Sequence, residues 1–214
     1  MHSCVHAWTK HVVNERWDDA LAGLALRCVG LHVPGNSRPE YWVIQRRLLG
    51  HANRCQEVIS VGFGERDGEE SLTEAIHNLG LLYAHQGKLD KAEEMFKRAL
   101  QGKEKALRRD HTSTLDTVNN LGVLYKNQGK LDKAEEMYER ALQGCEKALG
   151  RDHTSTLDTV NNLGLLYAHQ GKLDKAEVML ERALEGYEKR FGLDHPRCCS
   201  LRRDIAALQD RVAA

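Results

Sequence analysis

LGVLYKNQGKLDKAEEMYERAL, residues 121–142, decides the fold, because nearly the same string begins 42 residues earlier at Leu79 and 42 residues later at Leu163. A fixed period between about 20 and 50 residues is typical of stacked-repeat proteins, in which no single unit can bury its apolar face alone. Stacked helical repeats usually bind other proteins, so the period favours an interaction scaffold and disfavours an enzyme.

Each unit is predicted to contain two helices. Leu115, Val118, Leu121 and Tyr125 recur at three- and four-residue steps, which places them on one face of a helix A. Gly129 ends that helix, since glycine readily takes the left-handed conformation of a helix end. A second apolar stripe predicts a longer helix B, with its members at Leu131, Ala134, Met137, Tyr138, Ala141 and Leu142. The small residues Gly122 and Ala134 are expected where the two helices approach closely.

These residues resemble the tetratricopeptide repeat family. The Leu-Gly, Tyr, small and aromatic positions of its pattern are matched by Leu121, Gly122, Tyr125, Ala134 and Tyr138, whereas the third copy has Leu180 in place of the aromatic residue. The usual unit has about 34 residues, and the longer unit with an Asp-His junction is similar to the repeats of kinesin light chains. The resemblance implies an all-α, right-handed superhelical solenoid of antiparallel helix pairs with helical caps.

The repeat sets the expected domain organisation. Residues 1–70 lack it and are predicted to form a helical N-terminal cap. Three repeats are expected at about 71–109, 110–151 and 152–193. A C-terminal capping helix is expected at 194–214, with Pro196 suited to its first helical position.

The composition excludes several function classes. The 31 basic and 31 acidic residues give a formal charge of zero, so we expect neither nucleic acid nor an anionic membrane as partner. No apolar run is long enough to span a bilayer, and no signal peptide is recognised. The six cysteines lack a CxxC spacing, so reduced thiols in a cytoplasmic protein are expected.

The N-terminal segment has a second resemblance. Met1-His2 and the Gln45–Leu49 string QRRLL are similar to a segment of fungal signalling ATPases, in which an NB-ARC nucleotide-binding module precedes long tetratricopeptide repeats. The resemblance implies that His2 corresponds to a nucleotide-sensing histidine. The sequence has no G-x-x-x-x-G-K-[ST] loop to cradle phosphates, so we expect a separated C-terminal part of such a protein.

The histidines and the cysteine that could bind a metal or act in catalysis do not form a recognisable site. His2 and His6 share a helix face but supply only two metal ligands. His111 and His153 recur beside Asp at helix entries, as does His195, which indicates a junction or capping role. Cys145 on helix B is expected to be a packed or surface thiol. We therefore predict no catalytic residue, no cofactor and no metal.

A peptide-binding groove is predicted along helix A. The resemblance implies that helix A lines the concave face of the stack. If the apolar stripe faces the packed layer, a set of polar and small residues is left on that concave side. In the second copy these are Asp116, Asn119, Asn120, Val123, Lys126 and Asn127. The equivalent residues are Asp158, Asn161, Asn162, Leu165, Ala168 and His169 in the third copy, and Glu74, His77, Asn78, Leu81, Ala84 and His85 in the first.

Asn78, Asn120 and Asn162 form a ladder with one rung per repeat, and the resemblance maps the family's peptide-clamping asparagine onto them. An amide offers both donor and acceptor to an extended backbone. The alternative is that each Asn bonds only to the neighbouring helix. Copies two and three differ at nine positions, three of which (123, 126 and 127) lie in the predicted groove, as expected of a surface that selects a partner.

The sequence therefore predicts a protein-interaction scaffold that holds a peptide or protein partner in its groove. Two alternatives stay open: a regulatory or oligomerising part of an NB-ARC ATPase, and a cargo adaptor like a kinesin light chain. A second copy of the same chain is a further expected partner.

Overall fold

The computed structural model describes residues 70–213, and that part of the chain is built of helices joined by short turns. The chain divides into two compact units between Arg108 and Arg109. Helices α1 (Glu70–His85) and α2 (Leu89–Leu107) belong to the first unit. The second unit contains α3 (Thr112–Asn127), α4 (Leu131–Leu149), α5 (Thr154–His169), α6 (Leu173–Phe191) and α7 (Pro196–Ala213).

The first helix of each pair ends at a glycine in the left-handed conformation. Gly129 has φ of +74°, and the N–H of Lys130 donates to the carbonyl of Tyr125 at 2.9 Å. The N–H of Gly129 donates to the carbonyl of Lys126 at 3.0 Å, which completes a Schellman motif. The predicted helix break is confirmed, and the second helix begins two residues later at Leu131.

Histidine side chains cap the first helices of the second unit. Nδ1 of His111 accepts a hydrogen bond from the N–H of Ser113 at 3.3 Å, and Nδ1 of His153 accepts one from Ser155 at 3.2 Å. His195 accepts the N–H of Arg197 at 3.3 Å in the same way. Each bond satisfies one N–H that a helix start leaves open, which confirms the predicted capping role.

Small residues allow the two helices of a pair to approach. A Cβ atom added to Gly122 would lie 2.6 Å from a ring carbon of Tyr138, and Ala134 is fully buried. The contact at Gly122 confirms the close approach predicted there, and the burial of Ala134 agrees with a packed position. The sequence analysis missed a second contact of this kind, in which Leu115 of α3 packs against Gly144 of α4.

Helix α7 packs on α6 and presents polar side chains where an earlier repeat is apolar. Gln209 lies 42 residues after Tyr167 and donates to Glu177 at 2.9 Å. Arg202 lies 42 residues after Val160 and bonds to Glu188 at 2.5 Å. Helix α7 therefore has the register of a helix A, with polar side chains at two positions that are apolar in α5. Pro196 is its first residue, as predicted.

Candidate functional site

The predicted groove residues all lie on the first helix of their pair. Of the ten residues predicted to bind the peptide, Asn127 and His169 are exposed. The remainder are partly buried: Asn78, Asn119, Asn120, Val123, Lys126, Asn161, Asn162 and Leu165. Partial burial is the state expected of side chains that line a groove, because their stems pack while their ends stay accessible.

The structure places His77 in the packed interior and not in the predicted groove. Its side chain is 6% exposed, and its ring lies 5.4 Å from that of Phe96 on α2. Burial, followed by the nearby charge of Lys103, lowers the pKa of His77 to about 4. The prediction that His77 faces the groove is wrong, because its ring belongs to the packed layer of the first unit.

In the first and third pairs, an acidic residue near the start of the first helix meets a different partner on the second helix. In the first unit, Nζ of buried Lys103 lies 2.7 Å from Glu74. In the third pair the hydroxyl of Tyr187 donates to Oδ1 of Asp158 at 2.5 Å. Arg197 of α7 donates to the same oxygen at 2.7 Å. The Tyr187–Asp158–Arg197 cluster joins three helices of the second unit, and the sequence analysis did not predict it.

Two adjacent pockets lie between α5 and α7. The first, which we call the polar pocket, has a volume of about 220 Å³. The second, the apolar pocket, has a volume of about 280 Å³. The polar pocket is lined chiefly by Asp158, Asn161, Tyr187, Arg197, Ser200 and Asp204. The apolar pocket is lined chiefly by Leu165, Ala168, His169, Asp204, Ala207 and Leu208.

The pockets bring together most of the groove positions predicted in the third copy. Asp158 and Asn161 border the polar pocket, and Leu165, Ala168 and His169 border the apolar pocket. Only Asn162 of the six is absent from both linings. The residues that α7 contributes were missed, although the 42-residue register would have placed Ser200 and Asp204 opposite them.

The amides of neighbouring repeats are joined by one hydrogen bond. Nδ2 of Asn162 on α5 donates to Oδ1 of Asn119 on α3, 3.3 Å away. A primary amide has two N–H donors and an acceptor oxygen with two lone pairs. The bond therefore fixes the orientation of both amides and leaves each of them capacity for a ligand.

Cys145 is a packed thiol. Its side chain is 3% exposed, and burial, followed by the charge of Asp116, raises its pKa to about 11. Of the two predicted alternatives, a packed or a surface thiol, the structure shows the packed one, and the raised pKa disfavours the reactive thiolate form.

Neither a metal cluster nor a membrane span is found between residues 70 and 213. No group of three or more His, Cys, Asp or Glu side chains there is arranged to hold a metal ion. No helix in the same range is both long and apolar enough to cross a membrane. His2, His6 and the segment that resembles NB-ARC proteins lie outside the described residues.

Comparison with known proteins agrees with this architecture. The tetratricopeptide repeat family model matches residues 71–147, 114–189 and 155–212. No curated protein matches the sequence.

Solved structures share the fold at low sequence identity. The crystal structure of BtubC (BKLC) from P. vanneervenii is 19% identical, with a TM-score of 0.71 over 99% of this chain and 82% of that one. Two crystal structures of a Podosopora anserina putative kinesin light chain with nearly identical TPR-like repeats are each 18% identical. Their TM-scores are 0.67 and 0.65, over 92% and 91% of this chain and 88% of theirs.

Proposed function

We propose that this chain, which belongs to the tetratricopeptide repeat family, binds an extended segment of a partner protein along the first helices α3 and α5 of the second unit. Members of this fold class present stacked helices as an interaction surface. The chemistry offered along α3 and α5 is that of amides, carboxylates and small apolar side chains. That mixture suits recognition of a polypeptide backbone and its side chains.

The observation that carries the proposal is the position of the two pockets. Five of the six groove positions predicted in the third copy border space that is open between α5 and α7. These positions were predicted from the helical period together with the resemblance to tetratricopeptide stacks, in which helix A lines the concave face. Their meeting at real pockets supports a groove on this side of the second unit.

The Asn119–Asn162 bond supports a role in backbone recognition. A ligand amide can pair with the remaining N–H and carbonyl of each side chain without breaking the existing bond. Side chains that are already oriented lose less conformational entropy when a ligand binds, which favours affinity.

The differences between nearly identical repeats support selection of a particular partner. Val123, Lys126 and Asn127 of α3 are replaced by Leu165, Ala168 and His169 in α5, and all three replacements border the apolar pocket. Elsewhere the two repeats differ at six helix B positions, one of which, Tyr138 replaced by Leu180, also borders the apolar pocket. A groove that varies on a largely constant scaffold is the pattern expected when adjacent repeats contact different parts of one ligand.

The two alternative functions predict partners of different kinds. A regulatory part of an NB-ARC ATPase would bind a nucleotide-binding chain, and a cargo adaptor would bind cargo proteins. The second alternative is supported by the structural similarity to a Podosopora anserina putative kinesin light chain. An affinity pull-down analysed by mass spectrometry distinguishes them by the identity of the captured protein.

Binding of a partner in the groove is tested by comparing the wild-type chain with a variant in which Asn78, Asn120 and Asn162 are all changed to Ala. We expect proteins captured by the wild type to be lost from the variant, while circular dichroism shows the same helix content. Equal capture by both chains would show that the groove amides do not bind the partner.

A further inference from the structure

On α7, the position equivalent to the ladder asparagines is occupied by an aspartate. Helix α7 starts 42 residues after α5, and His195 caps it as His153 caps α5. In this register Asp204 lies 42 residues after Asn162 and occupies the position of the next rung. The last rung of the groove therefore carries a negative charge where the preceding rungs are neutral amides.

Asp204 is the residue that the two pockets share. It borders both the polar and the apolar pocket. It is exposed, and it makes no hydrogen bond or ion pair with any residue in the range 70–213. The other carboxylate of the polar pocket, Asp158, is already bound by Arg197 and Tyr187. The polar pocket consequently has one unneutralised negative charge.

The two pockets are displaced along the helices by two turns. Leu165 follows Asp158 by seven residues on α5, and Leu208 follows Leu201 by seven on α7. At about 1.5 Å per residue the displacement is roughly 10 Å. A polyproline-II chain rises about 3.1 Å per residue and returns to the same side every third residue. Side chains three positions apart in such a peptide can therefore enter both pockets.

We propose that the α5–α7 groove selects a peptide in which a Lys or Arg lies three positions from an aliphatic residue. The cationic head pairs with Asp204 in the polar pocket, and the aliphatic side chain packs against Leu165, Ala168 and Leu208 in the apolar pocket. Arg211 also borders the apolar pocket, so a second cation there would meet a like charge. This inference rests on the proposed peptide-binding function and specifies the ligand.

The test uses a random dodecapeptide library displayed on phage and selected against the full chain. Selected peptides are then synthesised with a fluorescent label, and their affinities are measured by polarisation. Asp204→Asn removes the unpaired charge without changing the shape of the side chain. Glu181→Gln makes the same change of charge at an exposed position on α6 that borders neither pocket. Circular dichroism checks that both variants keep the helix content of the wild type.

We expect the selected peptides to be enriched in Lys or Arg three positions from Leu, Ile, Val or Met. Asp204→Asn should weaken their binding by about three- to tenfold, since it removes one charge-assisted contact. Added salt should weaken binding to the wild type more than to Asp204→Asn. Glu181→Gln should leave the affinity unchanged.

Two results would overturn the inference, and they are distinguishable. If peptides are selected without basic residues, or if Asp204→Asn binds them as the wild type does, this ligand assignment fails and the proposed function stands. If no peptide is selected at all, the proposed peptide-binding function fails together with the inference.

Discussion

Nδ2 of Asn162 donates a hydrogen bond to Oδ1 of Asn119, so the amides of two successive repeats form one connected row in the second unit. The sequence left open whether these asparagines bind a peptide or bond only to the neighbouring helix, and the bond is compatible with both. The amide contacts the neighbouring first helix, and it still presents a donor and an acceptor for a ligand. The bond is therefore a contact between repeats, and we propose that the remaining donors and acceptors of these amides bind a ligand.

The hydroxyl groups of Tyr138 and Tyr187 are predicted to have opposite effects on stability. The Tyr138 hydroxyl is buried without a hydrogen-bond partner among residues 70–213, and the first repeat has Phe96 at the same position. Tyr138→Phe should stabilise the fold by about 1 kcal/mol, because it removes an unsatisfied buried group. Tyr187→Phe should destabilise it by about 1–2 kcal/mol, since the bond to Asp158 is lost. Urea unfolding measures both, and a larger loss for Tyr138→Phe would contradict the assignment.

Arg108 is predicted to be a source of backbone strain. It has φ of +78° and ψ of 166°, whereas the equivalent residues of the next repeats are Gly150 and Gly192, with φ of +90° and +87°. This region is essentially restricted to glycine. Arg108→Gly should raise stability by about 1 kcal/mol after the entropy cost of glycine in the unfolded chain.

The matched control for that prediction is Arg109→Gly in the same turn. Arg109 has no positive φ, so glycine there relieves no strain and should be neutral or slightly destabilising. Thermal unfolding midpoints compare the two variants. A gain for both, or for neither, would mean that the conformation of Arg108 stores no strain.

Ala134 is predicted to tolerate no larger side chain. It is fully buried between α3 and α4, so Ala134→Leu should cost about 1–3 kcal/mol through overpacking. Ala148 is exposed on the same helix, and Ala148→Leu should change stability by less than about 0.5 kcal/mol. An unchanged unfolding midpoint for Ala134→Leu would place that residue outside the packed contact.

The stability of the first unit is predicted to fall as His77 is brought below its ordinary pKa. Burial lowers the folded-state pKa from 6.5 to about 4. Between these values the unfolded chain binds a proton that the folded chain does not, so stability decreases as the pH falls through that window and is constant above it. The loss should be on the order of 2–3 kcal/mol. His77→Gln should be less sensitive to pH over the same range, and urea unfolding at several pH values makes the comparison.

The sequence predicts the helices and their ends well because these depend on local chemistry. The period of Leu121 and Tyr125 defines a helical face, Gly129 permits the left-handed turn, and the side chain of His111 reaches a nearby N–H. Each of these signals lies within a few residues of the structure that it determines. The close approach at Ala134 was also predictable, since the small residue recurs at the same place in every copy.

The side-chain partners that build the site were not predictable in the same way. Tyr187, Asp158 and Arg197 come from three different helices, and only the packing of the second unit brings them together. His77 was assigned to the groove by analogy with Asn119, but a ring at that position packs against Phe96 instead. Asp204 carried a usable signal in its 42-residue register, because it lies 42 residues after Asn162, but the groove prediction was not extended into α7.

The central claim, that the ladder of Asn78, Asn120 and Asn162 binds a peptide backbone, is tested most directly by the affinity of a selected peptide for Asn120→Ala. Loss of one donor and one acceptor should weaken binding roughly 5- to 100-fold, with unfolding almost unchanged. Lys97→Ala is the control, because Lys97 is exposed on helix α2 and pairs only weakly with Glu93 through a surface contact. The account predicts that Asn120→Ala loses affinity and Lys97→Ala does not. It is contradicted if Lys97→Ala loses binding while Asn120→Ala binds as tightly as the wild type.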